Sequence, residues 1–164
     1  MTQRLLAVLS LLMLFVAVAL AAETWKVEPQ GAGTVRVGMK EAEVRKALGG
    51  TITEEEGDSN HCYYLESDRH PLLAFMISHG TMTGVTVTDP GVFTAEGAQV
   101  GDSEAAVKKI YGDRMKVEPR PDKNGNYLTV LTPDGKFGTR FITDGSKVTG
   151  YYAGTANAIV HGCV

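Results

Sequence analysis

The sequence predicts an α+β fold: two tandem repeats, each a helix followed by a three-stranded antiparallel meander, sharing one sheet with both helices on one face. Three observations predict it. The stretch "VGMKEAEVRKALGG" (37–50) is echoed by "VGDSEAAVKKIYGD" (100–113), with Gly38 and Gly101, and again Gly49 and Gly112, 63 positions apart. A fixed, ungapped offset across a helix-sized stretch marks a duplicated unit. Each stretch is followed by short runs rich in aromatic and β-branched residues, punctuated by turn residues. One unit of about 60 residues is marginal alone, whereas two units side by side would build a sheet of about six strands with a helical layer on one face.

The N-terminus comes first. "MTQR" carries one charge, Arg4, and Leu5 to Leu20 is almost wholly apolar. Ala19-Leu20-Ala21 fits the small-x-small rule for signal peptidase, so residues 1–21 read as a signal peptide. The apolar run lies near the lower limit of about 17–25 residues for a membrane span. Glu23 and Thr24 follow it rather than a basic stop-transfer cluster, and no lipid-accepting Cys stands after the small residues. The expectation is an exported chain, periplasmic or secreted, with no membrane span after cleavage and no lipid anchor. Residues 22–33, with Pro29, Gly31 and Gly33, read as an N-terminal lead-in. The first repeat is 34–90, and the second repeat with a C-terminal tail is 91–164, together one compact domain.

In the first repeat Val44, Ala47 and Leu48 fall at i, i+3, i+4; in the second Val107, Ile110 and Tyr111 do. Arg45 and Lys46, or Lys108 and Lys109, lie between them and face water. Gly49 and Gly112 stand where a helix takes a left-handed C-terminal residue. Each N-terminus carries half of a capping box: Ser103 but Ala106 in one, Glu43 but Lys40 in the other. The predicted strands are 61–66, 72–78 and 82–88, then 127–132, 137–143 and 147–153, with hairpin turns at His79-Gly80, Pro133-Asp134-Gly135 and Asp144-Gly145. Tyr63 and Tyr127 read as matching positions. The polar stretches 54–60 and 120–126 read as loops, and 88–98 as a linker.

The chain has 16 Lys+Arg against 19 Asp+Glu, a formal net charge of −3. Without a basic cluster, nucleic acid and anionic membranes are not expected partners. Cys62 and Cys163 are the two cysteines, and an even count in an exported chain predicts a disulfide between them. His61 and His161 flank those cysteines and are weak candidates for a metal, which needs three or four ligands. No HxxxH, CxxC, G-x-S-x-G or Gly-rich phosphate loop is present, and Glu54 to Glu56 form a solvated acidic run. No cofactor and no catalysis are expected. Tyr63, Tyr64, Tyr127, Tyr151 and Tyr152 are the binding candidates, because adjacent tyrosines on a strand point to opposite faces and one of each pair is left for a partner.

The residues "VRVGMKEAEVRKALG" (35–49) resemble the signature of the BamE family, the small outer-membrane lipoprotein A family. Gly38-Met39 precede a short helix that carries Val44 and ends in Leu48-Gly49, with Lys40 where Thr is usual. The tandem arrangement is similar to that of the secreted β-lactamase inhibitor protein, which joins two such units into one concave sheet. The resemblance implies an exported, non-catalytic module that binds an envelope or extracellular protein on its open sheet face. β-Lactamase inhibition is not carried over, since aromatic residues make up only 7% of the chain and the cysteines would bridge the halves rather than lie within them. The alternative is a small envelope metal-binding protein or hydrolase using His61 and His161.

Overall fold

A computed structural model describes residues 25–59, 61–122 and 124–163. The signal-peptide reading of residues 1–21 falls outside the described residues.

The fold is mostly β. A three-stranded sheet is formed by β1 (Val27–Glu28), β2 (Gly31–Ala32) and β3 (Val35–Arg36). An eight-stranded antiparallel sheet is formed by β4 (Ile52–Ser59), β5 (Cys62–Ser67), β6 (Ala74–Ser78), β7 (Thr81–Val87), β8 (Met115–Pro119), β9 (Asn126–Leu131), β10 (Phe137–Thr143) and β11 (Val148–Thr155). Its order is β4-β5-β6-β7-β11-β10-β9-β8. The described residues hold three short α-helices: α1 (Glu41–Leu48), α2 (Glu104–Tyr111) and α3 (Ala156–His161).

This corrects the predicted α+β fold of two helix-plus-three-stranded repeats sharing one sheet with helices on one face. Ile52–Ser59 and Met115–Pro119 are edge strands. Glu54, Glu55 and Glu56 made the first look like a loop, yet charge on an edge strand is favourable because it discourages pairing with another chain. The lead-in and the start of the predicted first repeat form one small sheet because Val27, Ala32 and Val35 bury completely against the core. The C-terminal tail adds α3, and it lies on the opposite sheet face from α1 and α2.

Strand alternation separates the two faces. Phe75 and Ile77 enter the main core with Val44 and Leu48 of α1 and Val107 and Tyr111 of α2, whereas Met76 between them packs with Cys62, Cys163 and Ala158 of α3. Ile110, expected on the buried stripe of α2, is exposed. The helix boundaries are local. Each N-terminus keeps one arm of a capping box: Lys40 N–H donates to Glu43 Oε2 (2.8 Å), and Ala106 N–H donates to Ser103 Oγ (3.1 Å). The approach to each helix is tied to a hairpin in the same way. Gly38 N–H reaches the Met82 carbonyl and Gly101 N–H the Val148 carbonyl, both at 2.9 Å, with φ of 93° and 94°.

α3 needs room on the sheet, and glycine makes it. Gly84, Gly154 and Gly138 are direct neighbours across β7, β11 and β10. A Cβ on Gly138 would come within 2.9 Å of Ile159 Cδ1, and one on Gly84 within 3.5 Å of Ala158 Cβ. Thr155 caps the helix, accepting from Ala158 N–H (3.1 Å). Beyond it, the Cys62–Cys163 disulfide joins residues 101 positions apart, with Cα atoms 5.3 Å apart. A disulfide is compatible with an oxidising compartment. Among the described residues, no helix is long and apolar enough to cross a membrane.

Candidate functional site

The five tyrosines divide between the faces. Tyr151 is fully buried in the main core and its hydroxyl donates to the Val92 carbonyl (3.2 Å). Tyr63 packs at the edge of that core, and its hydroxyl donates to Glu41 Oε2 (2.6 Å). Burial and that hydrogen bond to Glu41 raise the Tyr63 phenol to about 12. Both therefore serve the fold. Tyr64, Tyr127 and Tyr152 are half-buried on the other face. Tyr64 packs beside Met76 and the disulfide. The matching of Tyr63 with Tyr127 is shifted by one: Tyr63 corresponds to Asn126, because Tyr63 reaches Glu41 on α1 as Asn126 reaches Glu104 on α2 (2.8 Å).

α3 covers the glycine row, and the next row of the same face lies beside it. Following cross-strand partners, that row runs Glu66, Ala74, Thr86, Tyr152, Arg140, Thr129. Where it crosses β5 to β7 it floors a cleft of about 330 Å³, walled by Tyr64, Leu72 and Asp89. Where it crosses β11 to β9 it carries Arg140, whose guanidinium carbon lies 3.9 Å from the centroid of the Tyr127 ring. Arg120 approaches the same ring at 5.9 Å, but its charge is engaged by Asp122 (2.6 Å). The trough thus has carboxylates, Glu55 and Glu66, at one end and a stacked guanidinium at the other.

Four side-chain atoms here are shielded from solvent and have no hydrogen-bond partner: Thr86 Oγ1, Thr129 Oγ1, Arg140 Nε and Arg120 Nε. Folded proteins pair nearly all such atoms, so four together mark a place where stability has been given up. Three of the four lie in the one row. Arg140 was not among the sequence candidates. The signal was present in "FGTRFIT", where alternation sets Arg140 opposite in sense to the buried Phe141.

The histidines are not brought into a metal-ligating group. His61 lies beside His79, with ring centroids 5.2 Å apart, and His161 is exposed at the end of α3. Among the described residues, no three His, Cys, Asp or Glu side chains could hold an ion together. A second cavity, about 480 Å³, opens on the opposite face between Tyr111, Arg114, Leu131 and Thr139. Tyr111 at its wall is committed to Thr94 (2.9 Å) and Glu96 (3.2 Å).

No protein-family model matches the chain, and no curated protein matches it. The fold is similar to that in the crystal structure of the uncharacterized protein yfeY from Escherichia coli, with a TM-score of 0.50 and 14% sequence identity. The match covers 79% of this chain and 99% of that one. At such low identity the likeness shows the fold alone.

Proposed function

We propose that the chain is an exported, non-catalytic protein-binding module of the periplasm or extracellular space, and that a partner protein lies on the trough beside α3. The observation that carries this reading is the convergence of Tyr152, the Arg140–Tyr127 stack and the unpartnered hydroxyls of Thr86 and Thr129 on one uncovered part of the sheet. Aromatic and arginine side chains on a rigid, partly desolvated surface are what binding hot spots are made of. The strands supply that rigidity, and the disulfide holds α3 along one side of it. Export is supported by the signal-peptide pattern of residues 1–21 and by the Cys62–Cys163 bridge. The BamE-like residues 35–49 support the same class of function.

Site-specific photocrosslinking tests this. A benzoylphenylalanine at Tyr152 should give one discrete adduct in living source cells, and the same group at Lys109, exposed on α2, should not. Equal labelling from both positions, or none from Tyr152, would overturn the reading.

A further inference from the structure

We infer that Arg140 is the receptor for a carboxylate, the side chain of Asp or Glu or a free C-terminus, presented by the bound partner; this rests on the trough being the binding surface. Three observations carry it.

The first is an uncompensated charge. Arg36, Arg45 and Arg120 each hold a carboxylate of the chain. Arg140 has no ion pair among the described residues, although it is half-buried and its Nε is shielded from solvent. Exposed arginines such as Arg69 lack this problem, because water solvates them. The carboxylates of its own face are distant or already engaged. Glu66 stands four strands away along the row, roughly 19 Å at about 4.8 Å per strand. Glu118 is engaged by Lys116 (3.0 Å), and Asp89 accepts from the Thr88 hydroxyl (3.1 Å).

The second is a fixed direction. The stack on Tyr127 and the flanking partners Tyr152 and Thr129 hold the guanidinium over the sheet. A planar fork held in place loses little freedom when it binds a planar carboxylate through two parallel hydrogen bonds.

The third is the kind of hydrogen bonding left unmade. Thr129 is 9% exposed, and its hydroxyl, the Thr86 hydroxyl and Arg140 Nε–H are donors without acceptors. An incoming carboxylate brings an acceptor for Arg140 and for its direct neighbour Thr129. One free guanidinium suits a singly charged group; a phosphate dianion would call for a second free cation, and the neighbouring Arg120 and Lys116 are already paired with Asp122 and Glu118.

The experiment uses the full, disulfide-intact protein, ¹⁵N-labelled, and reads the arginine Nε–Hε and the Tyr152 and Thr129 amide resonances. The probes are N-acetyl-Ala-Ala-Ala with a free C-terminus, its amide, and N-acetyl-Ala-Glu-Ala-amide with its Gln counterpart. Saturable shifts are expected with the two carboxylate peptides and not with the amide or Gln forms. Arg140→Gln should weaken binding at least tenfold, Arg140→Lys partly, and Arg69→Gln not at all. A thermal melt confirms that each variant is folded. Equal shifts from the neutral peptides, no shift from any peptide, unchanged binding by Arg140→Gln, or inorganic phosphate binding more tightly than the carboxylate peptides would each overturn the inference. If the Tyr152 crosslink forms but is unchanged in Arg140→Gln, the binding surface stands and the carboxylate receptor falls. If no crosslink forms, the binding surface itself falls.

Discussion

Single residues set the tightest constraints. Gly33, at φ 54°, passes so close to Trp25 that a Cβ there would run into the indole ring, and the turn between β2 and β3 depends on it. Tyr151 is the largest fully buried side chain, and its hydroxyl is the donor for the Val92 carbonyl. Tyr151→Phe leaves that carbonyl unmatched and should cost about 1–3 kcal/mol, read from urea denaturation. Glu104 is the buried acid of α2. Burial works against its charge, but hydrogen bonds from Thr143, Asn126 and Lys108 outweigh it and hold the carboxyl below its ordinary value of 4.5. Its contribution is therefore complete above pH 4.5 and is lost as pH falls through the lower folded value. Stability of the native protein should drop in that acid window, and the corresponding drop in Glu104→Gln should be smaller, as thermal melts across pH 3 to 6 would record. Of these features, alternation is legible in the sequence: it separates Tyr151 from Tyr152 and Phe141 from Arg140. Which group each side chain then meets is not, because that depends on strands far away in the chain.

At the scale of elements, α1 and α2 could be read closely and α3 could not. The caps and closing glycines of α1 and α2 are local chemistry, written within a few residues of each boundary. α3 has six residues and an apolar side too short to show a period. It is stable where it is because Gly84, Gly154 and Gly138 leave space beneath it and Cys163 anchors the chain beyond it. The chain-entropy model gives a loop of this length roughly 4–5 kcal/mol, with engineered losses often smaller. Cys163→Ser should lower stability by a few kcal/mol on that scale and should accelerate amide exchange over residues 156–161 before the central strands. Uniform acceleration throughout the sheet would show instead that α3 and the sheet unfold as one unit. For a related reason the sequence places 54–60 in a loop and assigns no element to 115–119, where β4 and β8 form. A strand inside a sheet shows alternating apolar residues, but an edge strand tolerates charge at nearly every position, and Glu54 to Glu56 then resemble a loop.

For the whole molecule, those charged edges are the boundary of an otherwise continuous eight-stranded sheet. Glu54 and Glu56 are exposed on β4, and Glu54 is paired with Arg45 of α1. Replacing both with valine removes a surface ion pair of small worth and leaves one side of the edge strand apolar, with Glu55 the remaining acid of that run. The variant should self-associate at concentrations where the native chain does not, as light scattering would show. The same scale governs the trough. Its acid end comes from β4 and β5 and its guanidinium from β10, and they share a face because β7 pairs with β11. By itself the sequence determined where α1 and α2 begin and end, which neighbours along a strand face opposite ways, and that Cys62 had one intramolecular partner to find. These are properties of nearby residues or of a count of two. Only the tertiary structure decided that the acidic stretch 52–59 is a strand, that α3 covers one row of the sheet and leaves the next open, and that Arg140 forms no ion pair among the described residues. Each depends on which strands become neighbours, a choice made by burial summed over the whole chain rather than by any local pattern.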